Sequence, residues 1–376
     1  MVVPTLFGLE GIVAKELRFL GCEGVQAENG RVLFSGDWED LARANINLRS
    51  GERVQILLAR FHAETFDELF EGVRRIPLEE FIGRQEAFPV KGWSLNSKLH
   101  SVPDCQKIIK KAAVERLKAN YRVSWFEETG ATVQLQFSIL KDEAMILLDA
   151  SGAGLHKRGY RKNSNEAPIK ETLAAGIISL ARVYPDTVFC DPMCGSGTFL
   201  IEAALYAMHI APGINRRFAC EKWGAFPESA MRKAREEALG AIRRDADFRA
   251  YGFDVSGEAA ALSLENAKKA GVASRIRIKQ QDIRDFSPDR LNTQRAVVVC
   301  NPPYGERMLE LKAAQEIYRE MGKVMEKREG WRYYIITPDE EFEQVFGRKA
   351  DKRRKLYNGM IKCQLYQYFK ETPERP

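Results

Sequence analysis

The sequence predicts an α/β protein built from two parts: an α+β module over the first 150 residues, and a largely parallel sheet covered by helices on both faces over the remainder. Two observations support this. Beyond residue 168, apolar strand signals alternate regularly with helix signals, which is typical of a parallel sheet with both faces covered. Between the two parts lies the segment 151–166, which holds three glycines, two asparagines and few apolar residues and is expected to be a hinge.

Helices and strands are mixed in the first part. The first helix is predicted from one apolar face, formed by Leu9, Ile12, Val13, Leu17 and Leu20. Further helices are predicted from Asp37, over Thr65–Ile76 and over Asp104–Ala119. Runs rich in β-branched and apolar residues predict strands at Arg31–Ser35, Arg53–Phe61, Trp93–Leu99, Thr132–Leu140 and Ala144–Ala150.

The second part alternates strands and helices. Its predicted strands are Thr187–Cys190, Arg249–Phe253, Arg275–Lys279, Arg295–Cys300, Trp331–Thr337 and Ile361–Phe369. Its predicted helices are 168–183, one that begins at Thr198, Ser256–Ala270 and 311–327. Pro168 suits the first turn of the first of these helices because its missing N–H would have no partner there. Residues 210–248 are rich in Arg, Ala and Glu and are predicted to be a helical insertion.

Composition excludes several classes of protein. With 376 residues, of which 45% are hydrophobic and 29% charged, the chain can bury sizeable cores. Apolar runs such as 203–208 are far shorter than the roughly 20 residues that a membrane helix needs. The N-terminus lacks a basic-then-apolar order, so we expect no signal peptide and a cytoplasmic location. Seven scattered cysteines without a Cys-x-x-Cys, and only four histidines, argue against a disulfide framework or a zinc site.

Positive charge is clustered along the chain. The net charge is only +6, but Lys98–Arg122 holds seven basic and two acidic residues, and Arg348–Lys362 holds seven basic residues against Asp351 alone. Lys157–Lys162 adds four basic residues and no acid. Such clusters suit a polyanionic partner, although each one alone is equally compatible with a solvated helix face.

A glycine-containing loop follows the first strand of the second part. It reads Asp191-Pro192-Met193-Cys194-Gly195-Ser196-Gly197-Thr198 and leads into a helix. Glycines at the carboxyl end of a strand let the backbone approach a ligand closely. Leu200 occupies the third glycine position of the dinucleotide fingerprint, and the lysine of a phosphate-binding loop is missing, so neither of those motifs is present.

Acidic residues end the next two strands. Asp254 can accept hydrogen bonds from ribose hydroxyls, the role that such a strand-end acid has in dinucleotide folds. Asp282, after the third strand, can accept from the amino group of an adenine. Either acid alone would more often be a cap or turn residue. Their order along successive strand ends favours a nucleotide-like ligand.

The strongest signal follows the fourth strand, where Asn301-Pro302-Pro303-Tyr304 stands. The Asn301 side-chain oxygen and the Pro302 carbonyl can both accept from one exocyclic NH2 group. Accepting those hydrogens draws the nitrogen towards a pyramidal form and frees its lone pair in the transition state. Tyr304 offers a ring on which a base extracted from its stack can lie.

Asp191–Gly197 and Asn301–Tyr304 together resemble the cofactor and catalytic motifs of class I methyltransferases that use S-adenosylmethionine on exocyclic amines. Lys157–Arg161, Ala167–Thr172 and Lys355–Gly359 narrow the match. The chain looks like the THUMP-domain RNA guanine-N2 methyltransferases and is similar to the bacterial 23S rRNA large-subunit enzymes. The resemblance is strong from 155 to 360 and weaker from 1 to 150.

This resemblance implies a Rossmann-like methyltransferase domain with a mostly parallel seven-stranded sheet over 156–376. A ferredoxin-like piece over 1–60 and a THUMP RNA-binding domain over 61–155 would precede it. The residues implied to bind S-adenosylmethionine are Asp191, Cys194, Gly195, Ser196, Gly197, Thr198, Asp254, Asp282 and Asn301. Those implied to hold the target base are Asn301, Pro302, Pro303 and Tyr304. Those expected to contact RNA are Lys98, Lys107, Lys110, Lys157, Arg158, Arg161, Arg353 and Lys355.

Several alternatives stay open at this point. The expected RNA is 23S rRNA or a ribosome precursor, with tRNA as the second choice, and the Asn-Pro-Pro-Tyr motif serves guanine N2 and adenine N6 equally. A nucleotide-dependent oxidoreductase is disfavoured by the missing third glycine, and an RNA-binding protein with a decayed site by the intact residues 301–304. No metal and no membrane partner is expected, and the oligomeric state is left open.

Overall fold

A computed structural model describes residues 1–161, 169–305 and 308–369. Lys162, Ala167 and Pro168, which entered the sequence predictions, lie outside these described residues. In the first half the strands are β1 (Val2–Pro4), β2 (Glu23–Glu28), β3 (Arg31–Ser35), β4 (Gln55–His62), β5 (Val90–Leu95), β6 (Leu135–Leu140) and β7 (Glu143–Asp149). The helices of this half are α1 (Glu10–Phe19), α2 (Trp38–Asn47), α3 (Phe66–Arg74) and α4 (Val102–Tyr121).

Local chemistry explains where two of these helices begin. The Asp37 side chain accepts the N–H of Asp40 at the start of α2, and the Asp40 carboxylate accepts the N–H of Asp37 in return. Thr65 and Glu68 form the same reciprocal pair at the start of α3. Such capping boxes satisfy backbone donors that the first helical turn leaves free. The predicted helix starts near Asp37 and Thr65 therefore match the observed ones.

All seven strands of the first half form one sheet in the order β2-β3-β1-β4-β7-β6-β5. Neighbours are antiparallel except for β5 and β6, which are parallel. The predicted division near residue 60 falls within β4, which pairs with β1 on one side and with β7 on the other. Continuous sheet hydrogen bonds therefore join the segments predicted as a ferredoxin-like piece and a THUMP domain.

The second half is an α/β unit. Its strands are β8 (Val188–Asp191), β9 (Arg249–Asp254), β10 (Ile276–Gln280), β11 (Ala296–Cys300), β12 (Trp331–Thr337), β13 (Lys352–Asn358) and β14 (Ile361–Tyr368). Its helices are α5 (Glu171–Leu180), α6 (Thr198–Ala207), α7 (Glu228–Gly240), α8 (Gly257–Lys269), α9 (Met308–Val324) and α10 (Phe342–Phe346).

These strands form a second seven-stranded sheet in the order β10-β9-β8-β11-β12-β14-β13. The first five strands are parallel, and β14 pairs antiparallel with both β12 and β13. The carboxyl ends of β8, β9, β10 and β11 therefore meet at one edge, where ligands of open α/β sheets bind. This arrangement confirms the predicted fold class.

The segment predicted to be a hinge is a buried strap over its described residues. Ser151, Leu155, Arg158 and Tyr160 are all buried. Arg158 donates to the Leu155 carbonyl oxygen (2.6 Å) and pairs with the buried carboxylate of Glu202 on α6 (3.3 Å). Over 151–161 the structure therefore shows a packed segment where a hinge was expected, because Arg158 and Arg161 are satisfied internally, whereas Lys157 is exposed.

The insertion between α6 and β9 packs against the first half of the chain. Cys220, Trp223, Phe226, Met231 and Ala234 belong to the same apolar cluster as the buried residues of the first sheet. The indole N–H of Trp223 donates to the Thr132 carbonyl oxygen at 3.0 Å, next to β6. None of the described helices is long and apolar enough to cross a membrane.

Candidate active site

The loop that joins β8 to α6 has a backbone that only glycine accommodates easily. Gly195 and Gly197 have φ values of 50° and 81°, in the left-handed region. A Cβ atom at Gly197 would lie 2.2 Å from the Ser263 hydroxyl on α8. Asn266 of the same helix donates to the Ser196 carbonyl oxygen at 3.0 Å. Gly197 therefore allows the loop to pack tightly against α8, and Gly195 allows the left-handed turn before it.

Asp191 stands at the end of β8 and is buried. Its carboxyl accepts the backbone N–H of Met193 at 3.2 Å. Burial raises the pKa of Asp191 to about 8, the Met193 N–H opposes the rise, and the Asp254 carboxylate adds to it. The carboxyl organises the turn from within the protein.

Asp254 connects the ends of β8 and β9. One carboxylate oxygen accepts the N–H of Gly195 at 2.8 Å, and the other accepts the N–H of Ser256 at 2.9 Å. The N–H of Cys194 also donates to the Phe253 carbonyl oxygen at 2.8 Å. The glycine loop and the strand-end acid are thus held as one unit, and each carboxylate oxygen keeps a second lone pair for a ligand hydroxyl.

Asp282 follows β10 and forms a two-pronged pair with Arg284, at 2.9 and 2.7 Å. These hydrogen bonds and the backbone N–H of Arg284 lower the pKa of Asp282 to about 2. Asp282 is therefore a carboxylate over the physiological range. Arg284 was not predicted as a site residue, although its place two positions after a strand-end acid is the signal that would have found it.

A cavity of about 740 Å³ lies along this edge of the sheet. Three acidic or amide side chains that the sequence predicted, Asp254, Asp282 and Asn301, line it together with Pro303. Val255, Ile283 and Ile317 supply apolar wall, and Glu316 and Glu320 contribute carboxylates from α9. The contribution of α9 was missed because its sequence is that of an ordinary amphipathic surface helix.

The cavity suits S-adenosylmethionine. Carboxylates at the ends of β9 and β10 match the hydroxyl and amino donors of a nucleoside, and the apolar wall matches the faces of its base. The volume falls within the range of small-molecule sites. The side chains of Asp191, Cys194, Ser196 and Thr198 are buried behind the loop, so their predicted contact with the cofactor would run through the backbone that they position.

The residues after β11 form the other end of the cavity. The Tyr304 hydroxyl donates to the Asn301 side-chain oxygen at 2.5 Å, and the Cys363 thiol lies 3.8 Å from the same hydroxyl. Burial raises the pKa of Tyr304 well above its ordinary value. In this state the acceptor that the sequence assigns to a substrate amine is occupied by Tyr304 itself.

Tyr318 of α9 supports this segment and was not predicted. Its hydroxyl donates to the Pro303 carbonyl oxygen at 2.8 Å and lies 3.1 Å from the Thr337 hydroxyl at the end of β12. Burial raises the pKa of Tyr318 to about 12. No motif marks this residue, because it lies in the middle of a helix 14 positions beyond Tyr304.

The predicted RNA contacts separate into two groups. Lys98, Lys107, Lys157, Arg353 and Lys355 are exposed. Among them, Lys98 pairs with Glu64, Lys107 with Asp104 and Arg353 with Glu343. Lys110 is half-buried over the Phe88 ring and pairs with Glu128 at 2.6 Å.

Two predicted RNA contacts are corrected by the structure. Arg158 is buried against Glu202, so its prediction as an RNA-binding residue was wrong. The Arg161 side chain is mostly buried, where it donates to the Thr198 hydroxyl at 2.5 Å and lies 3.6 Å from the Glu171 carboxylate. Arg161 therefore braces the start of α6 instead of facing a polyanion. Among the described residues, no group of His, Cys, Asp and Glu side chains could hold a metal ion.

Comparison with known families identifies all three segments of the chain. Residues 158–367 match the RMKL-like methyltransferase domain, residues 1–55 the RlmL ferredoxin-like domain, and residues 63–149 the THUMP domain. The matched methyltransferase segment covers more than half of the chain.

Individual relatives extend over the whole chain. It is 46% identical to the Bacillus subtilis protein named "Putative RNA methyltransferase YpsC", covering 100% of this chain and 97% of that one. It is 32% identical to the ribosomal RNA large subunit methyltransferase K/L of Psychromonas ingrahamii, but spans only 50% of that relative. The crystal structure described as "SMU.472, a putative methyltransferase complexed with SAH" is 43% identical, with a TM-score of 0.92, and the match covers 99% of this chain and 98% of that one.

Proposed function

The chain belongs to the RMKL-like methyltransferase family, and from this membership we propose that it transfers the methyl group of S-adenosylmethionine to the exocyclic N2 amine of a guanine in 23S rRNA. One observation carries the proposal. The cavity lined by Asp254 and Asp282 continues without interruption to Asn301 and Pro303. A nucleoside cofactor at one end and an amine acceptor at the other would share one space, as methyl transfer requires.

S-adenosylmethionine, when bound, supplies a methyl group on a positively charged sulfur. The chain's own task is to present a nucleophile. An aromatic amine is a weak nucleophile because its lone pair is delocalised into the ring. The Asn301 side-chain oxygen would accept one amine hydrogen and the Pro302 carbonyl the other, which favours the pyramidal nitrogen of the transition state.

Tyr304 would have two successive roles. Without substrate its hydroxyl donates to Asn301, which keeps that buried acceptor satisfied. When a base enters, the amine takes over this hydrogen bond and the Tyr304 ring becomes a stacking surface. The hydroxyl is therefore expendable for catalysis, and the ring is not.

Support for an RNA substrate comes from outside the cavity. The THUMP match over residues 63–149 and the relatives named as RNA methyltransferases agree with the exposed basic residues Lys98, Lys107, Lys157 and Lys355. The choice of 23S rRNA follows the large-subunit K/L relatives, half of whose length this chain spans. An enzyme that methylates 23S rRNA would act in the cytoplasm.

Nucleoside mass spectrometry of rRNA and tRNA from a deletion strain, compared with its parent, tests the proposal. We expect N2-methylguanine to fall by one residue in large-subunit rRNA and to return when the wild-type gene is restored. Asn301→Ala should lower kcat by about 10²–10³ because one preorganised polar contact to the transition state is lost. Tyr304→Phe should retain methylation activity, whereas Tyr304→Ala should lower kcat/KM by about ten- to hundredfold through lost stacking.

Exposed Asn120 on α4, changed to alanine, is the matched control and should behave as wild type. Loss of N2-methylguanine from tRNA alone would contradict the rRNA assignment and keep the chemistry. Loss of N6-methyladenine instead would contradict the assignment to guanine. Full activity of Asn301→Ala would contradict the catalytic site itself.

A further inference from the structure

The hairpin formed by β13 and β14 extends beyond the sheet beside the acceptor end of the cavity. Thr337, the last residue of β12, pairs with Gln364, so the three preceding residues of β14 continue past it. At about 3.3 Å per residue this places the tip roughly 10 Å further out. The Asn358 side chain hydrogen-bonds the Tyr304 hydroxyl, and Cys363 lies across the hairpin from Leu356. The hairpin therefore contacts Tyr304, the residue on whose ring a base would stack.

The tip itself is a two-residue turn that carries an exposed Met. Asn358 pairs with Ile361, which leaves Gly359 and Met360 as the turn. Gly359 has a φ of 63° and Met360 does not have a positive φ, the pattern of a type II′ turn with glycine first. Met360 is 97% exposed. The turn therefore places a flexible apolar side chain at the outer end of the hairpin.

An aromatic pair lies on the opposite face of β13. Phe7, which is 55% exposed, meets Tyr357 edge-to-face with 6.4 Å between ring centroids. The Lys355 ammonium lies 5.4 Å from the centroid of the Tyr357 ring. Two apolar rings with an adjacent exposed cation form a surface of the kind on which a nucleotide stacks.

Phe7 comes from the first half of the chain and is held in place from both sides. A Cβ atom at Gly8 would lie 2.7 Å from the Lys355 carbonyl oxygen, so the loop touches the backbone of β13. Glu10 accepts the N–H groups of Gly8 (2.8 Å) and Gly30 (3.1 Å). The neighbouring Leu9 is buried in the core of the second half. The exposure of Phe7 between such fixed contacts is a feature of a rigid loop.

We propose that Met360 is a wedge that enters the RNA stack and fills the gap left when the target base moves to Tyr304, while Phe7 and Tyr357 support an adjacent nucleotide. The inference rests on the proposed function, because only an enzyme that extracts a base needs a wedge. Apolar side chains, methionine among them, are inserted between base steps by proteins that unstack nucleic acid. Exposed Lys352 and Lys355 on the same hairpin favour a polyanion over a protein as the occupant.

Methyl transfer to two forms of one RNA tests the wedge. An oligoribonucleotide of about 15 residues is made around the mapped target guanine. It is assayed in two forms, as the unpaired strand and as the duplex with its complement. We expect Met360→Ala to lower kcat/KM on the duplex by about ten- to hundredfold, the loss of one stacking contact. On the unpaired strand, where no gap needs filling, the change should stay within about twofold. Met360→Leu should retain activity on both forms.

Leu239 on α7, which is 50% exposed and remote from the hairpin, is changed to alanine as the control. The wedge would be overturned if Met360→Ala lowered kcat/KM equally on the two forms, or if it left kcat/KM on the duplex unchanged. It would also be overturned if the wild-type enzyme methylated the unpaired strand alone. If the wild-type enzyme methylated no RNA at all, the proposed function itself would be contradicted. The failure of the proposed function is therefore distinguishable from the failure of the wedge. Phe7→Ala should raise KM on both forms without lowering kcat, because it acts on the neighbouring nucleotide.

Discussion

A single carboxyl, Asp191, couples the site to pH. Its native pKa of about 8 lies well above the roughly 3.9 of an unfolded chain, because burial disfavours the charged form. Between these two values the native state holds a proton that the unfolded state has lost, so stability falls as pH rises through this window. The stabilising contribution of the protonated Asp191 carboxyl is thus complete below about pH 4 and absent above about pH 8.

Asp191→Asn is predicted to remove this dependence, because asparagine keeps an acceptor for the Met193 N–H and carries no charge. In the absence of cofactor, the urea midpoint of the variant minus that of the wild type should increase as pH rises from about 5 to about 8. Asp186→Asn, at an exposed position just before β8, is the control and should show a constant difference. A gain for Asp191→Asn that is equal at both pH values would contradict a raised native pKa.

Residue identities in the site were largely predictable, and their partners were not. Asp254, Asp282 and Asn301 stand at strand ends, where parallel topology brings them to one edge. The hydrogen bonds from Gly195 to Asp254 and from Tyr304 to Asn301 depend on how neighbouring loops fold back, which no spacing in the sequence records. The sequence therefore predicts which groups meet and leaves open which of them are already engaged.

Among elements, long apolar strands were predicted well and short or charged ones were not. β1 has three residues, and β2 alternates mostly exposed side chains, so neither carries a clear apolar pattern. β13 begins Lys-Arg-Arg-Lys and was interpreted as a basic cluster, although charged residues are what protects an edge strand from further pairing. The strap around Arg158 was misassigned for the same reason, since charge was taken to mean exposure.

The strap is predicted to matter for stability and not for RNA binding. Arg158→Met leaves the Glu202 carboxylate buried without its charged partner, with the Tyr160 hydroxyl still donating to it, and should destabilise the protein by about 3–5 kcal/mol in urea unfolding. The double variant Arg158→Met/Glu202→Leu should recover part of that loss, because both buried charges are gone while the buried Tyr160 hydroxyl loses its acceptor. Lys157→Met, at the exposed neighbouring position, should leave stability within about 0.5 kcal/mol. Weaker RNA binding by Arg158→Met at unchanged stability would contradict this role.

At the scale of the whole molecule, each half of the chain completes the core of the other. Leu9, which precedes α1, and Ile12 of α1 belong to the apolar cluster of the second half, where a Cβ at Gly176 would lie 2.8 Å from the Leu9 side chain. In return, the insertion places Trp223 and Phe226 in the first core, and Trp38 meets Phe226 edge-to-face at 5.6 Å. Two modules that share core residues in both directions cannot move as independent domains.

The two halves are therefore predicted to unfold in one transition. Differential scanning calorimetry of the full chain should give a single peak whose calorimetric and van't Hoff enthalpies agree. Trp223→Ala, which removes a buried indole between the halves, should destabilise by about 3–5 kcal/mol and move that single peak as a whole. Trp125→Ala, at a 77% exposed position of the first half, should leave it in place. Two peaks, only one of which responds to Trp223→Ala, would show that the shared contacts do not couple the halves.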